Sequence, residues 1–175
     1  EQVQFKYCEW NLQKKMTPRH GGQTYCVSPW VLVWENSNYY LIAYTEGRLK
    51  HYRVDKMQNV HQMPGTRREG ADEYAAFDVN TYMQQMFGMF NGPRRQVTLL
   101  CENRFAGAMI DRFGTGPILN PSADGEHFTM TVTVQVSPQF FGWVAGFGPG
   151  VVVAGPPEVR AEMKRTLDTL QELYR

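Results

Sequence analysis

Between Phe128 and Val136 apolar and polar side chains alternate without a break. Phe128, Met130, Val132, Val134 and Val136 occupy every second position, separated by Thr129, Thr131, Thr133 and Gln135. A period of two fits a β-strand with one face in a core and the other facing water or covering a site, and it fits no helix. The chain must therefore build a sheet around this stretch.

The flanking punctuation predicts what surrounds that sheet. Gln96–Cys101 reads as a strand, and Asn103 is placed to cap a short helix from Arg104 to Phe113, ended by Gly114. Ile118–Ser122, between Pro117 and Pro121, reads as an edge strand. Ser137-Pro138 opens a helix that runs to about Ala145, and Val151-Val152-Val153 is a short buried strand. Pro156-Pro157 starts a last helix with Val159, Met163, Leu167 and Leu170 on one face. The order β-α-β-β-α-β, then α, is that of ferredoxin-like folds.

The first 60 residues have a different rhythm of short strands with little helix. Val3–Tyr7 alternates, Asn11–Gly22 reads as a loop, and Thr24–Trp34 is rich in aromatic and β-branched residues, with Pro29 marking a bend. Tyr39–Thr45 and Arg48–Val54 form a hairpin about Glu46-Gly47, and Met57–Val60 adds one more strand. This predicts a small barrel that closes its own edges. Residues 64–95 are transitional, with a helix expected over Ala75–Phe90 and a break at Asn91-Gly92-Pro93. The expected fold class is α+β. Its parts are a barrel domain over 1–75, a helical linker over 76–95 and a ferredoxin-like βαββαβ domain with a C-terminal helix over 96–175.

Several function classes are disfavoured. Cys8, Cys26 and Cys101 are odd in number and show no CxxC pair, so free thiols in a reducing cytoplasm are expected. His20, His51, His61 and His127 lack HxxxH or HxH spacing, no GxSxG elbow occurs, and Gly146–Gly150 lacks the Lys-Ser/Thr of a phosphate loop. Neither an enzyme nor a cofactor is expected, and no apolar run approaches a membrane span. The net charge is only +1, yet Arg48, Lys50, Arg53, Lys56, Arg67 and Arg68 cluster against the single acid Asp55.

That cluster lies where the chain resembles the WYL domain family of bacterial transcription regulators. The family's Trp-Tyr-Leu triplet is matched by Tyr39-Tyr40-Leu41, with Ile42-Ala43-Tyr44 following. Its aromatic-Arg-x-x-Arg signature, ending in an aliphatic residue, is matched by Tyr52-Arg53-Val54-Asp55-Lys56-Met57, after His51. Ser28-Pro29 resembles the strand leading to the triplet. Phe141–Pro157, with Trp143, Gly146-Phe147-Gly148 and the Val-Val-Val strand, resembles the C-terminal extension that follows such domains. Tyr39 stands where the family has Trp, and Lys56 stands where it has a second Arg, a point charge in place of a planar fork.

The resemblance implies an Sm- or SH3-like barrel that senses a nucleotide or oligonucleotide effector, single-stranded nucleic acid included. It implies a homodimer that reaches promoter DNA through an N-terminal helix-turn-helix domain, which the abrupt start of this chain leads us to expect is missing. The residues expected to touch the ligand are Arg53, Lys56, Tyr40, His51 and Ser28. Alternation supports part of this set: His51, Arg53 and Asp55 share one strand face, and Tyr40, Ile42 and Tyr44 share another. Cation, hydroxyl and stackable ring together suit phosphate and base. A different class of function, a protein-interaction or dimerisation module without a small ligand, competes with it. Trp30, Trp34, Tyr39 and Tyr44 are expected in the core, and Arg67-Arg68 in a solvated loop.

Overall fold

Two left-handed pairs set the geometry of the first half. Asn36 (φ 47°) and Ser37 (φ 61°) join β3 (Thr24–Glu35) to β4 (Asn38–Thr45), and Glu46 (φ 50°) and Gly47 (φ 76°) join β4 to β5 (Arg48–Arg53). Two-residue loops with both φ values positive match the twist of the strands they connect, so both hairpins close tightly. The computed structural model describes residues 1–175 as two units, Glu1–Asp78 and Val79–Arg175.

In the first unit the sheet order is β2-β1-β3-β4-β5, with β1 spanning Gln2–Trp10 and β2 Met16–Pro18, while β6 (Met57–Met63) pairs with the other edge of β1. The core lies on one face of the sheet, where Phe5, Val27, Leu41, Ala43 and Tyr52 are buried and Tyr7 and Tyr25 pack against them. Phe5 stacks on Tyr25 at 5.6 Å and meets Tyr52 edge-on at 5.3 Å, and Tyr7 meets Tyr52 at 5.6 Å. Such pairs add roughly 0.5–1.5 kcal/mol each beyond area burial. The Tyr7 hydroxyl accepts the Arg53 backbone N–H at 3.1 Å, tying β5 to β1.

The expected closed barrel is not formed. β5 ends at Arg53 in a 3-10 turn, Val54–Lys56, which carries the chain to the far edge of β1, and no ladder joins β5 to β6. Asn11–Gly22 is also more ordered than a loop, since it holds β2.

The expected helix over Ala75–Phe90 resolves into two short ones, α1 (Ala71–Ala75) and α2 (Val79–Gln85). Gly88 and Met89 turn left-handed so that Phe87 and Phe90 form an isolated antiparallel bridge, a conformation no helix admits.

In the second unit β7 (Arg94–Glu102), β8 (Asn120–Pro121), β9 (His127–Gln135) and β10 (Val151–Gly155) make an antiparallel sheet in the order β10-β7-β9-β8. Phe128, Met130, Val132 and Val134 are buried, as the alternation requires. They pack with Met109 and Phe113 of α3 (Ala106–Phe113), Phe140, Phe141 and Val144 of α4 (Pro138–Ala145), and Val159 of α5 (Pro157–Leu173). Ser137 caps α4, its Oγ accepting from the Phe140 N–H at 3.3 Å. Asn103 caps nothing: it sits in a 3-10 turn and donates from Nδ2 to the Gly125 carbonyl at 2.9 Å. The fold is mixed, with antiparallel sheets and five α-helices, and no helix is long and apolar enough to cross a membrane.

Candidate functional site

The β4–β5 register assembles most of the predicted residues. Tyr40 is paired with Arg53 and Ile42 with His51, so these four side chains share the outer face of the hairpin, opposite the aromatic core. The Tyr40 and His51 rings meet edge-on at 6.1 Å. Tyr40 is buried, and that burial pushes its phenol above the ordinary value while the neighbouring Arg53 pulls against it.

Arg53 is held as a fork. Its Nε donates to Asp55 Oδ1 at 2.9 Å and its Nη2 to Oδ2 at 2.8 Å, with 31% of the Arg53 side chain still exposed. The hydrogen bond from Arg53 holds the Asp55 carboxyl below its ordinary value, and Lys56, one residue on in the 3-10 turn, adds to the effect. Both charges stay ionised. A guanidinium has five N–H donors, so three remain for an anion in a plane that Asp55 has fixed.

Ser28 is not brought to this cluster. It lies opposite Tyr44, four residues along β4 from Tyr40, or about 13 Å at strand rise. It is buried, and its Oγ accepts from the Glu69 backbone N–H at 2.9 Å and from Gln2 Nε2 at 3.3 Å. The Glu69 bond ties Ser28 to a strap, residues 66–74, that crosses the outer face of β3 and β4, and the Gln2 bond ties it to β1. Trp30 Nε1 donates to the Glu69 carbonyl at 3.1 Å, and the Trp30 ring stacks on Tyr74 at 4.7 Å. The Arg68 guanidinium lies 4.2 Å from the Trp30 ring centroid, and Tyr44 donates to Glu73 at 3.2 Å. Arg68 is exposed in a loop, as expected, and its guanidinium also rests on Trp30 and donates to the Pro29 carbonyl at 3.1 Å.

Trp34 and Tyr39 lie outside the core. They face each other at 4.7 Å near the tip of the β3–β4 hairpin, 59% and 55% exposed. Only their proximity to the Asn36-Ser37 turn hinted at this. No group of three or more His, Cys, Asp or Glu is placed to hold a metal ion.

An antiparallel sheet with a face on which Arg53 and His51 are half-buried beside buried Tyr40 and Ile42, followed by a four-stranded sheet backed by helices, defines a two-unit β-sheet module. Family models match both halves, the WYL domain over residues 1–62 and the WCX domain over residues 93–171. The chain belongs to the WYL domain family, its WYL domain followed by a WCX domain.

Among solved structures, a CRISPR Cas-related protein superposes with a TM-score of 0.51 at 13% identity, covering 99% of this chain and 47% of its own. Proteasome accessory factor B/C (PafBC) of Arthrobacter aurescens matches with a TM-score of 0.37 at 20% identity, covering 95% of this chain and 24% of its own. The chain thus spans less than half the length of either. No curated protein sequence matches it.

Proposed function

We propose that this chain is the ligand-sensing part of a bacterial transcription regulator, and that it binds a nucleotide or short single-stranded nucleic acid on the outer face of β4 and β5. The observation that carries the reading is the Tyr40–Arg53 register, with His51 on the same face and Lys56 in the turn that follows. Arg53 presents a fixed fork to one phosphate, Lys56 a mobile charge to a second, and the Tyr40–His51 pair a ring edge to a base. Ser28 serves this face as the anchor of the strap.

In this reading the regulator acts in the cytoplasm, where its free cysteines stay reduced. It dimerises, and it contacts promoter DNA through a separate helix-turn-helix domain. No catalytic role is assigned. The order β10-β7-β9-β8 supports a ferredoxin-like reading of the second unit. The domain limits are taken as 1–75 and 96–175, with 76–95 as linker.

Calorimetric titration tests the reading. A single-stranded hexanucleotide should bind more tightly than a mononucleotide by about tenfold or more, because several phosphates engage several cations. Equal weak affinities would refute it. The Arg53–Asp55 pair favours one second reading, because neutralisation by Asp55 also suits a protein-interaction module with no small ligand. That module would bind neither nucleic acid.

A further inference from the structure

The edge strand β10 carries no charge and no proline between Val151 and Gly155, and one of its two sides faces no other strand. Natural sheet edges are usually blunted by lysine, proline or a covering element, because unpaired N–H and C=O groups recruit another strand. In an antiparallel ladder every second residue points both backbone groups away from its partner. Val151, Val152, Val153 and Ala154 line a groove of about 780 Å3, and the ladder to β7 is regular from Val151 to Val153 and bulged between Val153 and Gly155.

The groove is apolar along its floor and walls. Val151 and Val153, from the core side of β10, and Val152 and Ala154, from the opposite side, all line it. Residues of both parities lining one groove place it along the strand edge and not over one sheet face. Met163 and Leu167 of α5 form part of the helical wall. That wall also carries two cations: Lys164 is in an exposed pair with Asp168, and Arg160 is in none.

We propose that this groove takes an extended segment of another protein as an added strand beside β10, with alternate apolar side chains in the groove and a carboxylate on Arg160. Each element of the site selects one property of that partner. The open backbone edge calls for a strand and not a helix. The valine and methionine lining calls for apolar residues at every second position. The unpaired guanidinium calls for an acidic residue between them.

The test is a selection from a displayed random heptapeptide library on the intact chain, with Ala161→Trp as counter-target. Ala161 is exposed on α5 and lines the groove, so the indole fills the groove without entering the core. Selection should enrich proline-free sequences that alternate apolar residues with Asp or Glu. The best synthetic peptide should bind Arg160→Glu about tenfold more weakly or worse, and it should protect amides within Val152–Ala154 from hydrogen exchange. Three results would overturn the proposal: no enrichment over Ala161→Trp, enrichment of helix-forming or proline-interrupted peptides, or a wild-type dimer in sedimentation that Ala161→Trp converts to monomer. The last would make the occupant a second copy of this chain.

Discussion

Replacing Ser28 with alanine separates an anchor from a ligand contact. The Ser28 hydroxyl is 1% exposed and accepts two donors, the Glu69 backbone N–H at 2.9 Å and Gln2 Nε2 at 3.3 Å. Removing the acceptor strands both, at a cost of about 1–3 kcal/mol when such a group stays dry. The strap is exposed on its outer side and can lift to admit water, so the lower part of that range is expected. The Trp30–Tyr74 stack, the Arg68–Trp30 contact and the Tyr44–Glu73 bond hold its remainder in place. A loss of about 1.4 kcal/mol is a tenfold change in a local opening equilibrium. Amide exchange at Glu69 should therefore accelerate by about tenfold in the ligand-free protein, with a change in Trp30 emission and little change in the Phe5–Tyr52 core. Gly70→Ala should act in the same direction and more strongly, since φ is +76° there and a Cβ would fall 2.2 Å from Tyr44 Cγ. Unchanged exchange at Glu69 in Ser28→Ala, combined with weaker oligonucleotide binding, would refute the anchoring role and return Ser28 to the ligand.

Further outcomes follow from packing and titration. Gly92→Ala should destabilise the second unit by about 3 kcal/mol or more, because its Cβ would fall 1.8 Å from the Val136 carbonyl oxygen. Gly107→Ala, in α3 with nothing within 4 Å, should stabilise it by about 0.5–1 kcal/mol, and denaturant midpoints that rank the two the other way would contradict the geometry. Burial pushes the Tyr52 phenol up to about 12. The fold therefore favours the protonated phenol, and this stabilisation is complete below about pH 10 and lost as pH rises toward 12. Wild type should lose about 2–3 kcal/mol more than Tyr52→Phe between pH 8 and pH 12, and parallel curves would show that Tyr52 is not desolvated. Against promoter fragments, the chain alone should show no sequence preference in fluorescence anisotropy, since no helix reads as a recognition helix.

Much of the architecture was legible because it is local. The alternation of Phe128–Val136 specifies its strand, Ser137-Pro138 its helix start, and Glu46-Gly47 its hairpin. The placement of His51 and Arg53 on one strand face follows from a period of two alone, and the register then adds Tyr40. What was illegible is non-local. Whether β5 would pair with β6 depends on where the 3-10 turn Val54–Lys56 sends the chain. The sequence places Ser28 among the ligand contacts, whereas its hydroxyl accepts from Glu69, 41 residues away. Arg68 is solvated as its loop position implies, but the Trp30 ring beneath it lies 38 residues away in the chain. Asp55 was placed on the Arg53 face, yet a two-residue spacing does not reveal a closed fork between them.

The sensing claim rests on Arg53, and titration of a single-stranded hexanucleotide into wild type and Arg53→Ala at two salt concentrations tests it most directly. Loss of a charge-assisted phosphate contact is worth roughly 1.5–3 kcal/mol, so Arg53→Ala should bind about tenfold more weakly or worse while keeping the wild-type fold. Its salt dependence should be shallower by about 0.7 in the slope of log K against log salt, one phosphate's worth for a single strand. Equal affinities in the two proteins, or wild-type binding indifferent to salt, would contradict a phosphate-reading face on β4 and β5.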